Sequence, residues 1–483
     1  MSSTFGGLNT ARTALWASQR GLDVTGQNIA NVNTDGYSRQ RVELRAMGGT
    51  AVPAIHSVSS SVGSGVDSDQ VIRIRDAFLE RRGQVESART AQLTASTEAL
   101  SQIEAAFREP GNTGIRSMLD DVWAGFSALA NAQDPTEAGV RSQVLERLDK
   151  LASGIRTTRA GLDEQWLQTR HNLAALAAEV NSTSASIAEL NTQIGQATRS
   201  GLPTNELSDR RDLLVMQLAE KVGATSMPAS DGMVDVVVGG TTLVASGSAL
   251  GLRVAGVDDP GAVGAGNDPR LVTVPGGTTL PVGGTAGGQL TVLTTTVPNY
   301  RRAIDGLARD LVTKLNAVQA QGYDTSGTSG AAEPLMDDGT GTTPVGPATV
   351  DASNINLRLR RPELLAAAAT SPADLGGFPS ADGGNAEALF DLSLDAGGVD
   401  ATYRGLVVAL GVETSVAKRD LEVQAMVSTQ VDAARESVSG VNLDEEMTTM
   451  MSFQHAYGAA ARLVSAIDEA LNTLISRTGL VGR

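Results

Sequence analysis

Apolar residues recur every seven positions at both ends of this chain. Leu8, Leu15, Leu22 and Ile29 do so near the start; Leu443, Met450, Tyr457, Val464 and Leu471 do so near the end. Each row has a companion. Ala11, Ser18, Thr25 and Val32 follow the first row by three, and Phe453, Ala460, Ile467 and Leu474 follow the last four members of the second by three. Such spacing keeps a narrow apolar stripe on one face of a helix, the width of a coiled-coil seam. A narrow stripe must bury itself against something, because a lone helix of this length is marginal in water. The economical solution is that the two end helices pair with each other. Everything between them is then nested inside that pairing.

The interior supports the same reading. Val144, Leu148, Leu151 and Ile155 lead into Trp166, Leu173, Val180, Ile187 and Ile194, again spaced by seven, with Leu176 and Leu190 on a second row. About sixty helical residues would span roughly 90 Å, which predicts an elongated bundle. Asp134, Pro135 and Glu137 read as its N-cap, first position and capping-box partner, and Gly201-Leu202-Pro203 as its end. Shorter helices are expected over 76–107, 115–129, 207–222 and 299–318, then through "PELLAAAA", "NAEALFDL" and 400–438. Composition changes at about Val222. Residues 223–298 carry β-branched runs ("MVDVVVGG", "LGLRVAGV", "RLVTV", "GGQLTVL") between Gly, Pro, Asp and Asn, which predicts an all-β module. The expected fold is mainly α with that module inserted, an elongated, nested multi-domain rod with paired terminal coiled-coil helices. Its parts are a terminal coiled-coil domain (1–40 plus 440–483), a helical-bundle domain with short strands (41–222 plus 299–439) and the β-rich insertion (223–298).

Little here can do chemistry. The chain has no cysteine, which removes disulfides, thiolate metal sites and cysteine nucleophiles. His56, His171 and His455 lie far apart with no metal-ligand spacing. In "GAVGAGNDP", Gly264 and Gly266 are spaced as in a nucleotide-binding loop, but Pro269 stands at the third glycine and no helix follows, so a flexible loop is the better reading. "DDGTGT" from Asp337 lacks the spaced acceptors and closing Glu of a calcium loop. Asp444, Glu445 and Glu446 read as acids favoured at a helix N-terminus rather than a catalytic pair. Met447, Met450 and Met451 read as a soft packing stripe, in the core or held for a partner. No catalytic, metal or cofactor-binding residue is expected. The net charge of −16 and only four lysines argue against nucleic-acid binding, and no apolar run is long enough for membrane insertion. The N-terminus does not read as a cleavable secretory signal.

One motif exceeds what helix termination requires. In "NIANVNTDGYSRQ", Gly36 suits a turn, yet Asn28 and Asn31 flank the seam residue Ile29. Amides there can hydrogen-bond a neighbouring helix and fix register. The stretch from Gly21 to Gln40 closely resembles the N-terminal signature of bacterial flagellar axial proteins, the rod, hook and hook-associated proteins. Asn28 precedes their ANxxTxGY pattern, which Ala30, Asn31, Thr34, Gly36 and Tyr37 match. The "YSRQ" continuation and the stretch from Ser439 to Ile475 narrow the resemblance to the FlgK family of hook-associated proteins. "LSDRRDLLVMQLAEKVG" (Leu207 to Gly223) and "LNAVQAQGYD" (Leu315 to Asp324) resemble its middle region. His455 departs from the Gln that is commoner there.

The resemblance implies a non-enzymatic structural subunit of the bacterial flagellum, without cofactor, secreted unfolded by type III export and built into the hook–filament junction of the hook region. It implies a homo-oligomer in a ring or tube, with hook protein on one side and a second junction protein on the other. An export chaperone would bind the C-terminal region. Leu8, Leu15, Leu22 and Ile29 are then the N-terminal assembly seam. Leu443, Met450, Phe453, Tyr457, Val464, Ile467, Leu471 and Leu474 are the C-terminal assembly or chaperone seam. An absent thiol suits a chain threaded through a channel and assembled outside the cell. The alternatives are a hook or rod protein of the same class, and a scaffold whose β-insertion binds glycan or carries an activity.

Overall fold

The computed structural model describes residues 4–48, 63–264, 266–340, 349–378 and 380–478; His56 lies outside them. The chain is mainly helical. In order it runs α1 (Thr4–Ala30), β1 (Gln40–Met47), β2 (Gly65–Arg73), α2 (Ala77–Phe107), α3 (Ile115–Ala130), α4 (Ala138–Arg199) and α5 (Asn205–Val222). Six short strands follow: β3 (Thr225–Pro228), β4 (Val234–Val238), β5 (Thr241–Ala245), β6 (Ser248–Ala249), β7 (Gly251–Ala255) and β8 (Arg270–Val274). Then come α6 (Gly284–Thr291), α7 (Val297–Gln319), the pair β9 (Met336–Asp337) and β10 (Asn356–Leu357), α8 (Gly384–Asp391), α9 (Val399–Ser439) and α10 (Leu443–Thr478). These elements make two compact units, one of residues 1–88, 181–250 and 425–483, the other of residues 89–180 and 251–424.

In the first unit α1 packs on α10 and on the antiparallel hairpin β1–β2, in which Gln40 pairs with Arg73 and Met47 with Gly65. The end of α4, helix α5 and a meandering sheet in the order β3-β4-β5-β6 complete it. Helix α5 stops where expected. Gly223 takes a left-handed φ of 73°, and its N–H reaches back to Ala219 O and Leu218 O. Ile187 and Ile194 of α4 are fully buried, but the second row is not the expected leucine row: Leu190 is half-buried, and Ser184 and Asn191 are buried instead. Asn191 holds the sheet by its backbone, donating to Val234 O and Ser246 O and accepting from Val234 N.

The second unit buries Trp166, Leu173 and Val180 of α4, and also the amphipathic face of α3 (Ile115, Leu119, Val122, Trp123, Phe126, Leu129), a helix that packs on α8. Here too the expected second-row residue, Leu176, is half-buried, and Ala177 is the buried one. Phe107 stacks on Tyr403 and meets Tyr300 edge-on. Both hydroxyls are satisfied, Tyr403 by Glu109 at 3.1 Å and Tyr300 by Glu413 at 2.6 Å.

Three local expectations are corrected. Asp134 does not cap α4; its Oδ1 accepts from Thr136 N and Oγ1 in a turn, and the helix starts at Ala138. "GGQLTVL" is helical, not a strand. Its glycines serve close packing, since a Cβ on Gly288 would sit 2.6 Å from Gln92 O. A π-turn at Val292–Thr296 then offers Leu293 O to the buried Trp166 Nε1 at 2.8 Å. "PELLAAAA" is a single 3-10 turn followed by extended chain, held by the buried Gln319, which accepts from Ala366 N and donates to Leu364 O. Of the strands in 223–298, β3–β6 fall in the first unit and β7–β8 in the second.

Candidate functional site

Helices α1 and α10 pair antiparallel in one register. A Cβ on Gly7 would lie 3.4 Å from Ile467 Cδ1, and one on Gly21 would lie 2.5 Å from the Phe453 ring. Asn28 Nδ2 donates to Glu446 Oε2 at 3.0 Å. The α1 number rises from 7 to 21 to 28 as its partner falls from 467 to 453 to 446. The face α1 buries is made of small residues: Ala11, Ser18, Gly21, Thr25 and Asn28. Small side chains let two helix backbones approach closely, and at Gly21 only a hydrogen leaves room for Phe453.

This places the expected seams more finely. Leu8, Leu15, Leu22 and Ile29 flank the buried face and are half-buried. On α10, Met450, Phe453, Val464, Ile467 and Leu471 are half-buried, and Ala460 is buried. Leu443, Tyr457 and Leu474 are exposed, at 45%, 41% and 53%. Met447 and Met451 are exposed too, so only Met450 of that stripe packs inward. His171 and His455 are exposed. Among the described residues no group of histidine or acidic side chains could hold a metal, and no helix is long and apolar enough to cross a membrane.

The motif residues converge on one polar joint. Asn31 and Thr34 shape the turn: Thr34 N donates to Asn31 O, Tyr37 N to Thr34 O, and Thr34 Oγ1 to Asn31 Oδ1. Gly36 turns the chain at φ 77°, where its missing side chain faces Leu213 of α5. Ala30 is exposed and takes no part. Asn28 uses both ends of its amide. Its Oδ1 accepts from Tyr37 OH at 2.8 Å and Gln40 N at 3.0 Å, while its Nδ2 donates to Gln40 O at 2.9 Å and to Glu446.

Residues 38–40 carry the contacts outward. Ser38 donates through N and Oγ to Asp209 of α5. Arg39 donates its N–H to Ser439 O at the end of α9, its Nε to Glu446 at 2.7 Å and an Nη to Glu445 at 2.8 Å. Gln40 Oε1 accepts from Asn205 of α5. From Asp209 a line of ion pairs continues through Arg73, Asp212, Arg75 and Glu80 to Arg435. Arg435 lies one turn before Ser439, whose hydroxyl donates to Arg435 O. The contacts thus form a closed circuit through α1, β2, α2, α5, α9 and α10.

Buried ions are stable only when paired and hydrogen-bonded. Glu446 is 2% exposed and meets that condition with Arg39 and Asn28. Burial pushes the Asp212 carboxyl up, but the guanidinium groups of Arg211, Arg75 and Arg73 outweigh it and hold it below the usual range. Burial likewise lowers Arg73, and Asp212 and Asp209 more than restore it. Tyr37 is pushed up to about 12 by burial and by the carboxylates of Asp209, Glu446 and Glu206. The sequence reading missed Ser38, Arg39, Arg73, Asp209 and Glu446 as functional residues. Glu446 gave one sign: it stands on the α10 seam, four before Met450 and seven before Phe453.

The stretches that meet in the joint are similar to known protein families. Residues 8–37 match the model described as "Flagella basal body rod protein", and residues 435–477 match "Flagellar basal body rod FlgEFG protein C-terminal". Residues 100–332 match "Flagellar hook-associated protein FlgK helical domain". Flagellar hook-associated protein 1 of Bacillus subtilis strain 168 is 29% identical over 533 residues, covering 100% of both chains. The chain belongs to the flagellar hook-associated protein 1 family. Its Escherichia coli K12 relative is 24% identical, covering 97% of this chain and 99% of the relative, and that of Salmonella typhimurium is 25% identical with the same coverage. The solved structure of the flagellar hook junction protein FlgK from Burkholderia pseudomallei has the same fold, with a TM-score of 0.60 at 17% identity over 74% of this chain and 100% of that one. The family is structural rather than enzymatic, and as a flagellar axial protein the chain assembles with other flagellar subunits. The joint ties together stretches matched by all three models: Asn28 and Tyr37 in the first, Asp209 in the helical domain, Arg435 and Glu446 in the last.

Proposed function

We propose that this chain is the subunit that joins hook to filament at the hook–filament junction. The observation that carries the reading is full-length likeness to hook-associated protein 1, end to end on both chains. Many copies form a ring or tube, with hook protein on one face and a second junction protein on the other. The terminal domain, 1–40 with 440–483, supplies the helices that pack in its wall. Before export through the type III apparatus the exposed residues Leu443, Met447 and Met451 of α10 suit an export chaperone; after export the same helix meets neighbouring subunits. Immunogold electron microscopy of intact flagella tests this. Label confined to the boundary between hook and filament supports it; label along the hook or on the rod would make the chain a hook or rod protein instead.

A further inference from the structure

We infer that the segment Tyr37–Gln40 is a conformational coupler that lets α1 and α10 pair only while Ser38 is docked on Asp209 of α5. The need for such a device lies in the pairing itself. The residues that α1 buries fully are alanine, serine, glycine, threonine and asparagine, with Leu8, Leu15, Leu22 and Ile29 only half-buried, so the pairing removes modest apolar surface from water. Helices held by so little depend on additional contacts to stay ordered. Among the described residues of the two helices the buried charge is Glu446 of α10, and its cation is Arg39.

Arg39 is placed by its own backbone, bonded to Ser439 and Ile74, and by its neighbours. Ser38 is fixed on one side by two bonds to Asp209, and Gln40 on the other by Asn205 and Asn28. In the segment that leads into β1, Ser38 bonds α5 as Arg39 bonds α10. Undocking Ser38 frees the strand to move and takes Arg39 from Glu446. A buried carboxylate left without its cation favours the state in which it is hydrated, with α10 released from α1. Among the described residues Asp209 and Ser38 bond to α5, β2 and each other rather than to α10, yet they decide whether it stays paired. This is coupling through a two-state element, and it operates in the free chain, independently of the role at the junction.

Hydrogen exchange of the full-length protein tests it, with Ser38→Ala and Asp209→Asn compared with the natural chain. Both variants should speed exchange in residues 8–28 and 443–471 by about tenfold, with the rates of β4 and β5 unchanged. Ser38→Ala leaves the pairing of Asp209 with Arg73 in place, so it separates undocking from a general loss of the ion circuit. Faster exchange confined to residues 34–41, with α10 unchanged, would overturn the inference. So would equal acceleration throughout the first unit.

Discussion

Asn28 and Glu446 stand 418 positions apart and share a buried hydrogen bond of 3.0 Å, the polar contact that sets the register of α1 on α10. Its other side-chain hydrogen bonds go to Tyr37 and Gln40, in the chain that follows its own helix. One amide therefore fixes a local turn and a long-range pairing at once.

Removing that amide strands its partners. Asn28→Ala should lower the stability of the first unit by about 3 kcal/mol, because Glu446 and Gln40 lose buried bonds. Asn28→Asp keeps the shape but sets a second carboxylate beside Glu446. Its loss at neutral pH should exceed that of Asn28→Ala and shrink on mild acidification. Urea titration of the three proteins at two pH values checks both orders.

Two glycines of α1 make a matched pair. Alanine at either gains up to about 1 kcal/mol of helix propensity. At Gly26 nothing lies within 4 Å of the added carbon, so Gly26→Ala should stabilise. At Gly21 the carbon would fall 2.5 Å from Phe453, and overpacking of about 1–3 kcal/mol outweighs the gain. Gly21→Ala should therefore loosen α10, seen as faster proteolysis of residues 443–478, while Gly26→Ala slows it.

Val464 lies on the half-buried face of α10. Val464→Asp should abolish assembly, because a carboxylate without a cation would enter a helix interface. The melting of the second unit, which lacks α10, should not change; a fall there would make the terminal segment part of that core.

The joint should loosen at both extremes of pH, for opposite reasons. Tyr37 has a folded value of about 12 against an ordinary 10, so its contribution is whole below pH 10 and lost as pH climbs toward 12. Asp212 lies below its ordinary value, so its contribution is whole above about pH 4 and lost as pH falls through the depressed folded value. Tyr37→Phe should remove the alkaline loss and leave the acid one. Exchange rates in residues 34–41 across the pH range measure this.

Periodicity made the helices legible. The rows at Leu8 to Ile29 and Met450 to Leu471 predicted a pairing that α1 and α10 make, and the row from Trp166 to Ile194 predicted the length of α4 within a few residues. Which row is innermost was not legible. Leucine outranks alanine in hydrophobicity, yet close backbone approach put Ala11, Ser18 and Thr25 inside. Gly287 and Gly288 misled for the same reason: beside β-branched residues they read as turn signals, whereas they admit α2 against α6. The joint was half legible. Asn28 drew notice because an amide beside a seam needs a partner. Asp209 and Arg73 did not, since an acid on an amphipathic helix and a base at a strand end look like solvated residues until the fold closes them into a circuit.

The central claim, that the chain joins hook to filament, is tested most directly by electron microscopy of cells lacking its gene and carrying either the natural chain or Asn28→Ala. Deletion should leave hooks without filaments; the natural chain should restore filaments, and Asn28→Ala should not, though the protein is made. Filaments of normal number on the deletion strain, or cells without hooks, would contradict the account.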